Sequence, residues 1–258
     1  MRPHTEILII AATENELAPL KNDLPGAGEG FRISATGAGK VSAALATLEL
    51  IQQKSPDWII QIGCAGAYPG SGLAPCDAAI ANLEIFADEG VEAPDGFLSM
   101  EDIELPQATR GEERVFNEIP VHAPAKETLE AIRSSIGNEA RIEAGRFCTV
   151  SSGSGTDAAA AGIEKTWAPL AESMEGAAAA LVAWKHGIRF SEIRGISNMA
   201  GHREREGWKI SEAWEIAGRI PVSYAFPTFL DSAAALNRVS MALRGIRPSQ
   251  ADIDLFES

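Results

Sequence analysis

Ile7-Leu8-Ile9-Ile10-Ala11-Ala12, followed at once by a helical pattern over residues 14–22, is the stretch that decides the fold. An unbroken apolar run ended by polar residues reads as a strand, and the acidic segment behind it reads as the helix of a βα unit. The rhythm repeats. Residues 31–36 precede a helix over 40–53, and residues 58–62 run into a glycine-rich loop over 63–70. Further strands are predicted over 78–86, 141–151 and 188–196, with helices over 125–136, 157–167 and 175–185. Strands alternating with helices predict an α/β protein with a largely parallel sheet. Residues 87–124 are rich in acids, Pro and Gly, and are expected to form an irregular surface insertion placed to shape a pocket. Helical patterning after Asn198 is expected to break at Pro221 and Pro227.

At 258 residues and 45% hydrophobic content, the chain can bury one substantial core, so a single domain over 1–258 is expected. A formal charge of −14 and a pI near 4.8, with no basic stripe, oppose binding to nucleic acid or anionic lipid. Cys64, Cys76 and Cys148 are far apart and form no CxxC pair, which suggests neither a disulfide framework nor a metal site and fits a reduced, cytoplasmic compartment. The apolar run at 7–12 is too brief for a signal peptide, and the stretch 176–184 is too short to span a bilayer.

Two segments carry the chemistry. Glu172-Ser173-Met174-Glu175-Gly176 opens an Ala-rich helix, and Arg194-Gly195-Ile196-Ser197-Asn198 ends an apolar strand. Ligands of such sheets sit beyond the carboxyl ends of the strands, so this arrangement aims a carboxylate and a carboxamide at one crevice. Gly63-Cys64-Ala65-Gly66-Ala67-Tyr68-Pro69-Gly70 offers small residues over which a flat ligand can approach the backbone, although packing alone also accounts for such a loop. Glu14 and Glu16 follow the first strand; they suit a helix N-terminus, and a carboxylate there also suits a general base. Asn198 as a turn cap and Met174 as a core residue remain open at this level. Gly37-Ala38-Gly39-Lys40-Val41-Ser42 lacks the third glycine of a dinucleotide fingerprint and reads as a tight strand-to-helix turn.

Together these segments resemble the nucleoside phosphorylase/nucleosidase superfamily, in the branch that holds the methylthioadenosine/S-adenosylhomocysteine nucleosidases and the futalosine hydrolases. The resemblance runs from Ile7 to about Ile210 and leaves an atypical tail over about 211–258. It implies three α/β/α layers around a central mixed, largely parallel twisted sheet, and cleavage of a purine N-glycosidic bond without cofactor or metal. It further implies that Glu16 activates water, Glu175 holds the ribose hydroxyls with Met174 beside the sugar, Cys64, Ala65 and Gly66 lie along the nucleoside, and Asn198 engages the departing purine. Arg194 matches a family arginine near the site, either on the substrate or as an ion-pair partner. A small nucleoside as ligand and a homo-oligomeric state are implied in the same way.

Glycosidic cleavage passes through an oxocarbenium-like sugar, so a carboxylate on the ribose hydroxyls stabilises charge that grows only in the transition state. The adenine-specific members usually carry aspartate where this chain has Asn198. An amide can donate to a 6-oxo group and accept from a protonated N7, whereas an ionised aspartate would repel that oxo group. A 6-oxopurine leaving group, as in the futalosine hydrolases of menaquinone synthesis, is the expectation. Their substrate carries a benzoate, for which Arg203 or Arg205 is a candidate partner. The first crevice loop, residues 11–16, is acidic and lacks arginine, which favours water over phosphate as the nucleophile.

Overall fold

The computed structural model describes residues 6–23, 30–201 and 205–225. Its elements in chain order are β1 (Ile7–Ala11), α1 (Glu14–Asp23), β2 (Phe31–Ala35), α2 (Lys40–Gln53), β3 (Trp58–Ala67), β4 (Ala78–Phe86), β5 (Gly90–Ala93), β6 (Gly96–Ser99), β7 (Ala108–Arg110), β8 (Glu113–Val115) and β9 (Glu118–Pro120). They continue with α3 (Lys126–Ile136), β10 (Ile142–Thr149), α4 (Asp157–Trp167), β11 (Ala171–Ser173), α5 (Gly176–Lys185), β12 (Arg189–Met199) and α6 (Ile210–Ala225).

The all-apolar β1 is buried along its whole length because alternate side chains enter two different cores. Ile7, Ile9 and Ala11 pack with Leu17 and Leu20 of α1, Ile132 and Ile136 of α3, and Ile216 and Ile220 of α6. Leu8 and Ile10 pack instead with Ala43 and Ile51 of α2 and with Ala177, Ala179 and Trp184 of α5. Helices on both faces of one sheet are the three layers expected. Each fully buried Ile or Leu contributes about 1.5–3 kcal/mol of transfer free energy, so β1 is a strong anchor.

The main sheet runs β11-β10-β4-β12-β3-β1-β2, with β9 on β4 and a second pairing of β11 onto β3. It is mixed as expected. β1 is parallel to β2 and β3, β3 to β12, and β10 to β4 and β11, whereas β12–β4, β11–β3 and β4–β9 are antiparallel.

Three local expectations change. The predicted loop after residue 62 is largely strand: β3 continues to Ala67, because β12 lies along one of its edges and β11 along the end of the other, satisfying its backbone. The stretch 87–124 is not irregular throughout: it carries the β5–β6 and β7–β8 hairpins and the strand β9, and none of its residues lines the large cavity described below. Helix α6 runs through Pro221 to Ala225 rather than ending there. The loss of one backbone N–H is outweighed by the packing of Ala213, Ile216, Ala217 and Ile220, all buried. Pro227 lies outside the described residues.

Candidate active site

Glu16 is placed by a capping box. Thr13 precedes α1; its backbone N–H and hydroxyl both donate to Glu16 Oε2, at 2.9 and 3.1 Å, while the Glu16 N–H donates weakly to Thr13 Oγ1 at 3.4 Å. The spacing Thr13-Glu14-Asn15-Glu16 therefore uses one carboxylate oxygen locally and leaves Oε1 facing β3. There Oε1 accepts from the Cys64 N–H at 3.2 Å. Burial first, and Glu16 second, push the Cys64 thiol above its ordinary pKa, with Arg194 opposing, so Cys64 is present as the neutral thiol.

Glu175 stands at the N-cap position of α5, yet its side chain makes no cap bond there. Instead Oε1 accepts from the Gly39 N–H at 2.9 Å, and Oε2 accepts from Arg194 Nη2 at 3.2 Å. The turn before α2, read from the sequence as purely structural, thus presents a backbone donor to this acid. Gly39 has φ +88°, a conformation that side-chain-bearing residues rarely adopt.

Arg194 is the hub of the floor. Its side chain is 1% exposed; Nε donates to Glu192 Oε1 at 2.5 Å, Nη1 donates to the Cys64 carbonyl at 3.2 Å, and Nη1 lies 4.0 Å from Glu16 Oε1. Burial disfavours its charge, but Glu192, Glu175 and Glu16 more than offset this and hold its pKa above the ordinary arginine value. Gly63, in register with Arg194, makes room: a Cβ there would overlap the guanidinium and come within 2.5 Å of Glu16 Oε1.

Behind this floor lies a second acid. Glu84 is fully buried beside Glu192, and burial, followed by the Glu192 charge, raises its pKa well above the carboxylate range. With both groups ionised, Glu84 Oε1 and Glu192 Oε2 would have no donor; a proton held by Glu84 supplies one. The acids press against the start of α5, where a Cβ on Gly176 would overlap Glu192 and reach 2.5 Å from Glu84 Oε2.

Above the floor opens a cavity of about 390 Å³. Glu16, Cys64, Ala65, Gly66, Met174, Glu175, Arg194 and Asn198 all line it, so the residues chosen from sequence converge, apart from Arg203, which lies outside the described residues. The side chain of Arg205 is likewise outside them. Asn198 follows a register shift in β12, where Ser197 is the extra residue. Its Oδ1 accepts from Ser197 Oγ at 2.8 Å and its Nδ2 donates to the Met199 carbonyl at 2.9 Å, leaving the second amide hydrogen available. Met174 is 39% exposed and so belongs to the cavity wall rather than the core. Sequence reasoning assigned no site role to Glu172, Ser154, Trp208 and Trp214, which also line the cavity, or to the Glu84–Glu192 pair. Trp214 could have been found from the helical patterning of α6, whereas Trp208 precedes that helix and Glu84 reads as an ordinary solvent-facing position of a strand.

Fold and site define a member of the Phosphorylase superfamily, whose sequence profile matches residues 6–220; the chain belongs to that superfamily and, on sequence identity, to its futalosine hydrolase branch. It is 33% identical to the futalosine hydrolase of Thermus thermophilus over 74% of this chain and 80% of the relative. It is 32% identical to that of Streptomyces coelicolor over 72% and 74%. A 5'-methylthioadenosine/S-adenosylhomocysteine nucleosidase of Shewanella sp. is 29% identical over 68% of this chain and 71% of its own length. The fold matches that of the solved S. pneumoniae nucleosidase, crystallised with a transition-state inhibitor, at a TM-score of 0.69, 23% identity and coverage of 85% and 98%. The superfamily match extends ten residues beyond Ile210, in keeping with the packing of α6 into the core.

Proposed function

We propose that this chain hydrolyses the N-glycosidic bond of futalosine, releasing hypoxanthine and leaving the dehypoxanthinylated sugar product, as a step of menaquinone synthesis. The observation that carries the reading is the pair Glu16 and Glu175, both tied to one buried arginine and both facing the cavity that Asn198 also lines, in a chain similar to futalosine hydrolases. Glu16 Oε1 takes a proton from water, whose oxygen bonds the anomeric carbon as the C–N bond breaks. The electron pair of that bond leaves with the base, which takes up a proton. Glu175 holds the ribose hydroxyls and stabilises the cationic sugar, with Met174 against the ring. Asn198 donates to the 6-oxo group and accepts from a protonated N7. Cys64, Ala65 and Gly66 form the surface along which the nucleoside lies.

Water rather than phosphate is the nucleophile. Among the described residues Arg194 is the one cation lining the cavity, and it already donates from Nε, Nη1 and Nη2 to Glu192, the Cys64 carbonyl and Glu175. Among the described residues a phosphate dianion would meet Glu16 and Glu175 without a free counter-charge. The same proposal includes a cytoplasmic, homo-oligomeric protein that binds neither nucleic acid nor membrane. Free Cys64, Cys76 and Cys148 suit that compartment, and no described helix is long and apolar enough to cross a membrane.

Chromatography of reactions with futalosine, methylthioadenosine and inosine, each with and without phosphate, tests the proposal. Hypoxanthine should appear from futalosine at a rate that phosphate does not change. Absence of hypoxanthine, or release only with phosphate, would refute it. Asn198→Asp should lower futalosine turnover relative to that of the 6-amino analogue by roughly tenfold to a hundredfold.

A further inference from the structure

One acid in the cavity has no part in the scheme above. Glu172 of β11 is in register with Gly66 of β3, and Gly66 is also in register with Asn198 of β12. Residues paired across neighbouring strands carry their side chains on the same face of the sheet. Gly66 has no side chain, so the carboxylate and the amide stand on one face at either edge of an open slot. With about 4.8 Å between adjacent strands, their Cα atoms are roughly 10 Å apart. A Cβ on Gly66 would sit 3.2 Å from Asn198 Nδ2, which shows that the amide leans over the slot. Both residues line the cavity.

Glu172 is also held in one orientation. The Tyr68 hydroxyl donates to Oε2 at 2.7 Å, Ser154 Oγ donates to Oε2 at 2.5 Å, and the Ser154 N–H donates to Oε1 at 2.7 Å. Tyr68 lies two residues beyond Gly66 and therefore rises from the same face as the slot. Burial first, and the Glu172 charge second, push the Tyr68 phenol far above its ordinary pKa, so it remains a donor. Among these bonds Oε1 receives a single hydrogen and keeps capacity for another.

We infer that Glu172 is the second reader of the departing base, accepting a hydrogen bond from N1–H of a 6-oxopurine while Asn198 engages its O6 and N7 side. The inference rests on the reading of this cavity as a purine nucleosidase site. A 6-oxopurine carries a hydrogen on N1, and a 6-aminopurine carries a bare lone pair there. An anchored carboxylate is an acceptor only, so it pairs with the first and repels the second. Glu172 and Asn198 then make one discriminating unit that reads three polar atoms, N1, O6 and N7, along one edge of the base. The three donors on Glu172 serve to hold its charge in place before the substrate arrives.

The test compares wild type and Glu172→Gln on futalosine and on its 6-amino analogue. The variant should lower the ratio of kcat/KM for the 6-oxo over the 6-amino substrate by about tenfold to a hundredfold, since the amide can donate to a bare N1. A loss of general structure would lower both rates and leave the ratio unmoved. In the wild type, 1-methylhypoxanthine should inhibit at least about tenfold more weakly than hypoxanthine, a comparison that needs no variant. An unchanged ratio, or equal inhibition by the two bases, overturns the role of Glu172 while leaving futalosine hydrolysis standing. Wild-type enzyme inactive on futalosine overturns that activity, and this inference with it.

Discussion

Replacing Glu84 with glutamine should make the protein more stable at neutral pH, by an amount that grows as pH rises. The folded state holds a proton on Glu84, because the group is fully buried beside Glu192. In the unfolded chain the same carboxyl releases that proton near the ordinary glutamate pKa of 4.5. Between these two pKa values the native state binds one proton more than the unfolded state, so unfolding free energy falls with rising pH. The stabilisation is complete below pH 4.5, and its loss ends only at the raised folded pKa. While the proton is retained, the slope is about 1.4 kcal/mol per pH unit, or about 2.7 kcal/mol over two units. Glutamine has nearly the same shape, can accept from Thr149 Oγ1, which lies 3.3 Å from Glu84 Oε2, and can donate to Glu192 Oε2. It carries no titrating proton, so its curve lacks this slope. Urea denaturation of both proteins at half-unit steps from pH 5.5 to 7.5 would give the difference directly. Two curves that stay parallel across that range, or a wild type that gains on the variant, would show that Glu84 is ionised and that the account of the buried pair is wrong.

Two further outcomes are expected. Glu16→Gln should lower kcat by about 10²- to 10⁴-fold with little change in KM, because water activation is lost while sugar and base contacts remain; steady-state kinetics that show an unchanged kcat would remove Glu16 as the base. Gly195→Ala should depress the melting temperature, because its Cβ would overlap the Ala213 carbonyl and lie 2.6 Å from its carbon, forcing α6 away from β12. Overpacking of this kind costs about 1–3 kcal/mol and each kcal/mol shifts Tm by about 2–4 °C at this chain size, so an unaltered Tm by calorimetry would contradict the packing described.

Much of the site was legible because its residues sit where strand or helix chemistry announces an end. Glu175 opens a helix, Asn198 closes a strand and Glu16 completes a capping box, and each of these positions can be read within a few residues of sequence. Glu172 gained no role from sequence although it stands three residues before Glu175 in the same segment. Its partners Tyr68 and Ser154 are 104 and 18 residues away, and only the pairing of β11 with β3 brings the first of them into reach. The hairpins within 87–124 were hidden for a different reason. Their strands are only three or four residues long, too short for alternation of polar and apolar side chains to show.

The sequence alone determined the βα rhythm, the all-apolar strand β1 and the identity of Glu16, Glu175 and Asn198 at the cavity. Those features follow from local periodicity and from residue chemistry, which a single chain carries in order. Tertiary structure alone decided what each charge does. Arg194 could have served the substrate or a salt bridge until the register of β12 on β3 set it between Glu16, Glu175 and Glu192. Glu84 acquired its proton, and Glu172 its place across Gly66 from Asn198, in the same way. Strand order and register join residues that are remote in sequence, and burial then fixes their protonation, so neither can be read before the chain has folded.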